Sequence, residues 1–281
     1  MSLRKKGKSK SGWDCPDQKP VTISIITVCY NAERVIGLTI RSVMEQTYPH
    51  LEYLIIDGAS TDGTEALVRP YAAQGKLKWY SEPDQGIYDA MNKGAAKATG
   101  HYLYFLNAGD TLFDAGVMER MAAHCRPSRA EVLYGSITYV HPDGHTEKRI
   151  YGGSCGSLIY YLTGDCINHQ AILAHRACFG DIRFDTEHYR ICADRDWMLR
   201  LKKRKVPFVC TGEMMVYYSL DANSASVKNK KDYQREAKYC IKEHLLWGYP
   251  VFALFEFCRN SRVLAKMLHG VYRLLYIRKK S

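Results

Sequence analysis

The chain has 281 residues, 46% of them hydrophobic and 25% charged, with a formal net charge of +11. That balance belongs to a soluble globular protein with room for a sizeable core, in one large domain or two small ones. No apolar run approaches a transmembrane helix in length, and the basic start has no apolar signal segment, so neither a membrane span nor a signal peptide is expected.

Residues 1–20, with Arg4, Lys5, Lys6, Lys8 and Lys10 among Gly and Ser, read as a disordered basic tail. Strands then alternate with helices. Val21–Cys29 reads as a strand. Ala32–Glu45 reads as a helix with Val35, Ile36, Ile40, Val43 and Met44 on one face and Asn31 as its cap. Leu51–Ile56 is a second strand that ends at Asp57. Thr64–Ala73 is a helix, Leu77–Tyr80 a short strand, Ile87–Ala98 a helix stopped by Gly100, and His101–Leu106 a strand. Such alternation implies a parallel, doubly wound sheet. After about residue 125 the pattern changes. Glu131–Val140 and Thr146–Tyr151 flank the turn Pro142-Asp143-Gly144, Asn168–Ala174 is a strand, Ala193–Lys203 a helix, and Val206–Cys210 and Met214–Tyr218 are strands. This half reads as a mixed sheet built onto the first. From Lys228 the chain is helical and basic, with 13 Lys/Arg against 4 Asp/Glu. Arg259–Arg278 sets Val263, Leu264, Met267, Leu268, Val271 and Leu275 on one face. The divisions are therefore 1–20, 21–125, 126–227 and 228–281.

The most informative stretch is residues 101–112, an apolar run that ends in a polar loop closed by Asp110. A buried parallel strand delivers a carboxylate to the rim of a sheet in this way, and open α/β sheets bind ligands at that rim. A carboxylate there can hold a divalent cation, and the cation a diphosphate. Asp57, at the other strand tip, suits hydrogen bonds from a base or ribose, or else a turn with Ser60 and Asp62. In Ser81–Gly94 a loop opens onto a helix N-terminus, where Lys93 can reach a phosphate and Asp84 and Gly86 are ordinary loop residues. Asp194 and Asp196 lie near a helix start with a spacing that sends them in different directions. One can take the proton of a hydroxyl while the other caps the helix. His169 is either a lining residue of the acceptor side or structural. The 21 tyrosines suit ring stacking or a β-rich core equally. Ten cysteines, scattered singly, fit a reducing cytoplasm, with Cys29, Cys210 and Cys258 as buried thiols.

Four segments in order, Ser24-Ile-Ile-Thr-Val-Cys-Tyr-Asn31, Ile56-Asp-Gly-Ala-Ser-Thr-Asp-Gly-Thr64, Ser81–Gly94 and Thr99–Asp110, resemble glycosyltransferase family 2 with the GT-A fold. The likeness continues more faintly through Asn168-His-Gln170 and Ala193–Leu201, and is greatest to the bacterial branch that builds capsule, exopolysaccharide or O-antigen. The resemblance implies a Rossmann-like nucleotide-binding mixed sheet flanked by helices, with a helical C-terminal extension. It implies inverting transfer from a nucleoside-diphosphate sugar, UDP-linked by preference, to a hydroxyl of a glycan or lipid-linked acceptor, with Mg²⁺ or Mn²⁺ as cofactor. By position Thr27 and Tyr30 touch the nucleotide, Asp57 reads the base, and Asp84, Asn92 and Lys93 belong to the donor side. Asn107 and Asp110 replace the family's Asp-x-Asp, with Asp110 on the metal. Asp194 is the catalytic base, and His169 and Asp196 lie on the acceptor side, with Asp196 as the rival base. Two positions depart from the pattern: Asn107 and Ala193 stand where acids are usual.

Two other readings compete. A sugar-1-phosphate nucleotidyltransferase would want a Gly-rich basic loop after the first strand, where this chain has Tyr30-Asn31-Ala32-Glu33. A nucleic-acid binder would use the basic tail, but no binding-module motif accompanies it. The apolar run Leu245–Phe257 and the basic helix after it suit an anionic membrane surface, which places the enzyme on the inner face of the plasma membrane. The alternative packs that face on the domain or on a second subunit as a homodimer.

Overall fold

The computed structural model describes residues 20–162, 165–220 and 230–260. One nine-stranded mixed sheet runs through it. In chain order the elements are β1 Ile23–Cys29, α1 Ile36–Met44, β2 Leu51–Asp57, α2 Thr64–Ala73, β3 Lys78–Ser81, α3 Ile87–Lys97, β4 Tyr102–Phe105, β5 Thr111–Leu112, α4 Val117–His124, β6 Val132–Val140, β7 Thr146–Arg149, α5 Leu158–Leu162, β8 Ile172–His175, α6 Ala193–Lys203, β9 Phe208–Ser219, α7 Lys230–His244 and α8 Tyr249–Asn260. The strand order is β3-β2-β1-β4-β8-β6-β9-β5, with β7 paired to β6.

The first four strands are parallel, with β1 between β2 and β4. All seven residues of β1 are buried, as a parallel strand covered on both faces requires. Helix α3 lies close on this sheet because Gly94 has no side chain. A Cβ there would sit 2.5 Å from Ile26 Cγ2 and 3.1 Å from Ile56 Cγ1. Beyond β4 the direction reverses: β8 is antiparallel to both β4 and β6, and β9 runs parallel to β6. The mixed sheet flanked by helices expected from the motifs is thus the fold observed.

Several local expectations change. Helix α1 starts at Ile36, not Ala32, and Asn31 does not cap it. Asn31 takes φ 48° and its Oδ1 accepts the Thr61 N–H (2.9 Å), tying the β1 and β2 loops together. The two expected strands near residues 206–218 are one strand, β9, with Gly212 at φ 77° and an irregular register opposite Gly135. The expected strand at Asn168 begins as a tight 3₁₀ turn, His169–Ala171, before β8. Cys210 is half-buried rather than buried, and the eight described cysteines are all free thiols. The expected basic N-terminal tail up to residue 19, the amphipathic face beyond Asn260 and the Cys258 side chain lie outside the described residues.

Helix α7 is not a loose tail. It buries Ala237, Cys240 and Ile241, and its Glu236 carboxylate accepts the N–H groups of Arg190 (3.1 Å), Ile191 (2.8 Å) and Cys192 (3.0 Å). These sit just before α6, so α7 supplies the acceptor that the helix entry lacks.

Candidate active site

A cleft of about 820 Å³ opens at the carboxyl ends of β1 and β4. Tyr30, Asp84, Asn107 and Asp110 line it from the parallel half, and Arg149, Asp165, His169, Gln170, Arg190 and Asp194 from the other.

The Asn107–Asp110 loop is held from below. Gly109 takes φ +99°, a conformation glycine adopts freely. The buried Thr39 hydroxyl of α1 accepts the Gly109 N–H (2.9 Å) and donates to the Asp110 carbonyl (2.8 Å). Asp110 is 4% exposed yet reaches the cleft wall. Its carboxylate accepts the Ser219 N–H (3.0 Å) and the Gln170 Nε2–H (3.2 Å). Burial pushes its carboxyl up to about 7, against the pull of Ser219, His169 and Gln170.

Across the loop His169 joins two further groups. Its Nε2 lies 3.1 Å from Asn107 Nδ2 and its Nδ1 lies 3.4 Å from Asp194 Oδ2. A proton on Nδ1 facing the carboxylate, with Nε2 accepting from the Asn107 amide, satisfies both contacts. Asp194 stands in the first turn of α6 with its side chain 17% exposed, and also accepts the Arg195 N–H (2.8 Å). A partly exposed carboxylate, oriented by an imidazole on the wall of a cleft, can accept a proton from a bound hydroxyl.

Other residues of interest in the sequence are committed elsewhere. Thr27 is fully buried with its hydroxyl 3.1 Å from that of Tyr53, under the sheet rather than in the cleft. Asn92 spans the Phe184 backbone with both ends of its amide (2.9 and 3.0 Å). Lys93 bonds the Pro83 carbonyl (2.6 Å) and pairs with Asp89. Asp57 is 1% exposed and accepts from Ser60 N–H (3.2 Å) and the Ser81 hydroxyl (2.7 Å), so it shapes the strand tips instead of lining the cleft. Beside it a Cβ on Gly58 would fall 2.5 Å from the Asp84 carboxylate, so glycine lets Asp84 close over the β2 tip. Asp196 is 2% exposed and paired with Arg200 (2.5 Å) and His244 (2.6 Å). The Arg200 guanidinium and the His244 imidazole hold its two oxygens in a buried setting, and it is not among the residues that line the cleft.

The Glycosyl transferase family 2 pattern matches residues 24–200. This chain belongs to that family. A PGL/p-HBAD biosynthesis glycosyltransferase of Mycobacterium bovis is 33% identical over 180 residues, 63% of this chain and 68% of that protein. Among solved structures, TarS of S. aureus superposes with a TM-score of 0.62 at 18% identity, over 86% of this chain and 44% of TarS. Its 1–349 segment in complex with UDP-GlcNAc gives 0.61 at 17% identity, over 83% of this chain and 71% of the segment. Mannosyltransferase PcManGT from Pyrobaculum calidifontis, in complex with GDP-Man and Mn²⁺, gives 0.58 at 16% identity, over 92% and 81%. These structures share the fold. Family membership makes the chain a glycosyltransferase rather than a nucleotidyltransferase.

Three residues of this family 2 chain escaped the sequence reading. Thr39 and Glu236 sit on helix faces and act on backbone far away, and nothing local marks them. Gln170 had a signal, since a polar Asn-His-Gln run entering a buried strand needs partners at that strand's edge.

Proposed function

We propose that this glycosyltransferase transfers a sugar with inversion from a nucleoside-diphosphate sugar, UDP-linked by preference, to a hydroxyl of a glycan or lipid-linked acceptor in surface polysaccharide or glycolipid synthesis. The observation that carries the reading is the shared cleft: Asp110 enters from the parallel half and Asp194 from the other, with His169 between them. In this reading the part within residues 21–125 holds the donor and that within 126–227 the acceptor. Tyr30, 63% exposed at the β1 tip, stacks on the base beside Asp84.

The residues suit a divalent cation, Mg²⁺ or Mn²⁺. Asp110 offers charge, and Asn107 Oδ1 is a buried oxygen with no hydrogen-bond donor. A cation held there supplies Lewis-acid stabilisation of the departing diphosphate. The chain's own part is proton transfer and alignment. The acceptor hydroxyl attacks the anomeric carbon opposite the diphosphate, the bond to the diphosphate oxygen breaks, and Asp194 takes the hydroxyl proton. His169 holds Asp194 in the direction of attack.

No helix of the described residues is long and apolar enough to cross a membrane. Exposed Leu246, Trp247 and Leu254 (72, 73 and 61%) beside the basic α7 support a peripheral position on an anionic cytoplasmic membrane face. Flotation with anionic liposomes, with and without Leu246→Ser and Trp247→Ser, tests that placement.

The central test is a thermal-shift panel of UDP-, GDP- and dTDP-sugars with Mn²⁺, because a bound donor raises stability. A selective shift by one class supports the reading, and no shift by any of them removes it.

A further inference from the structure

The buried phenol of Tyr88 joins the two halves of the cleft. On α3 the residues Tyr88, Met91 and Gly94 recur at helical spacing, and all three are buried. Gly94 lies against Ile26 and Ile56 of the sheet. Tyr88 stands roughly 9 Å nearer the helix start, where it lines the cleft. Its ring packs on Phe184 with centroids 5.3 Å apart. Its hydroxyl donates to the Ile191 carbonyl at 2.7 Å, across 103 residues of sequence. Gly86 and Ile87, at the start of the same helix, line the cleft beside Asp84.

Ile191 is the middle residue of a short loop, 190–192. The loop has its three N–H groups on the Glu236 carboxylate of α7 and, through Tyr88, a carbonyl on α3. The next residue, Ala193, opens α6, and Asp194 is the second residue of that helix. The loop is thus gripped from both sides immediately before the carboxylate. Burial, and then the charge of Asp194 close by, push the Tyr88 phenol well above its usual value. It stays protonated at neutral pH and remains a donor. A hydrogen bond of this kind adds little to stability, whereas a shift of about 1 Å in a reacting group can cost on the order of a hundredfold in rate.

We propose that Tyr88 is a positioning residue for the transfer: by holding the Ile191 carbonyl it sets how far Asp194 stands from the donor. The proposal rests on the reading of Asp194 as the base given above, and adds to it the group that holds the base at its distance. The donor half of the cleft thereby fixes the entry to the helix that carries the base.

The experiment makes Tyr88→Phe in the otherwise unaltered full chain and in Asp194→Asn. It measures turnover of the sugar nucleotide that the thermal-shift panel selects, with affinity for its nucleoside diphosphate by calorimetry. Phenylalanine keeps the ring against Phe184. Circular dichroism establishes folding, and all rates are taken below the Tm of the least stable variant. In the unaltered background Tyr88→Phe is expected to lower kcat by roughly tenfold to a hundredfold and to leave nucleotide affinity within about twofold. In Asp194→Asn the same substitution is expected to change the residual rate by less than about twofold, because no base is left to position. A group that only supports the fold costs the same factor in both backgrounds. That result, or an unchanged kcat in the unaltered background, overturns the role of Tyr88 and leaves Asp194 as the base. Normal turnover by Asp194→Asn overturns the reading of the base itself, and this inference with it.

Discussion

The two walls of the cleft are built differently. The β1–β2 rim is wired to itself: Asn31 bonds Thr61, and Asp57 bonds Ser60 and Ser81, over separations of at most 30 residues, whereas the Asp110 carboxylate on the same side draws on Gln170 and Ser219, 60 and 109 residues away. The wall that carries Asp194 is held from outside. Glu236 and His244 reach the α6 entry and Asp196 from 44 to 48 residues further along, and Arg195 bonds the Tyr233 hydroxyl (2.9 Å). The β1–β2 rim can therefore form from one βα unit and its neighbours, while the Asp110 loop needs β9 and the α6 entry that carries Asp194 is completed by α7.

Removing the base breaks the comparison most sharply. Asp194→Asn is expected to lower kcat by on the order of 10³. UDP affinity is expected to stay unchanged, since the nucleotide contacts lie on the other wall. Calorimetry with UDP and a radiolabelled-sugar assay check both halves, and normal turnover would falsify the role given to Asp194.

Glu236→Ala takes the acceptor from the N–H groups of Arg190, Ile191 and Cys192, of which Cys192 is buried. It is expected to cost about 1–3 kcal/mol and to lower Tm by roughly 2–6 °C. Turnover is expected to fall well before UDP binding does, which a thermal-shift and kinetic comparison will register. Equal loss of both would mean that the walls are one cooperative unit.

Asp110→Asn has the opposite sign on stability. Burial raises this carboxyl from 3.8 to about 7. Between about pH 4 and pH 7 the native state thus keeps a proton that the unfolded chain has lost. Stability falls as pH rises through that window, and the penalty is complete above pH 7. In the asparagine variant Gln170 can turn its amide over and accept from the new NH₂ group. Cation-free protein at pH 8 is expected to gain ~4 °C in Tm, with the gain gone near pH 4. Mn²⁺ is expected to stabilise its UDP complex no further. Melting curves at both pH values, with and without Mn²⁺, decide this.

The smallest effect belongs to the rim. Tyr30→Ala is expected to weaken UDP by roughly threefold to tenfold, the worth of one stacked ring. Stability is expected to stay within about 0.5 kcal/mol, since the ring is exposed. No change in UDP affinity would move the base away from the β1 tip.

What the sequence determined by itself is what a window of ten or so residues can encode. The apolar run of β1, the 3.6-residue face of α2 and of α6, and the strand ending at Asp57 are all local patterns, and helices α2 and α6 begin and end where that pattern does. The Asp110 loop and the Asp194 helix start were visible for the same reason: a carboxylate at the end of an apolar element announces a rim. Only the tertiary structure decided which polar residues are spent on the fold. Thr27, Asn92 and Asp196 look like binding groups until Tyr53, Phe184, Arg200 and His244 arrive beside them. Conversely, Thr39 and Glu236 carry no local mark of what they do. A buried polar group must find its partner wherever the chain brings one, and apart from the Asp196–Arg200 pair the partners here lie 26 to 109 residues away, beyond the reach of any local pattern.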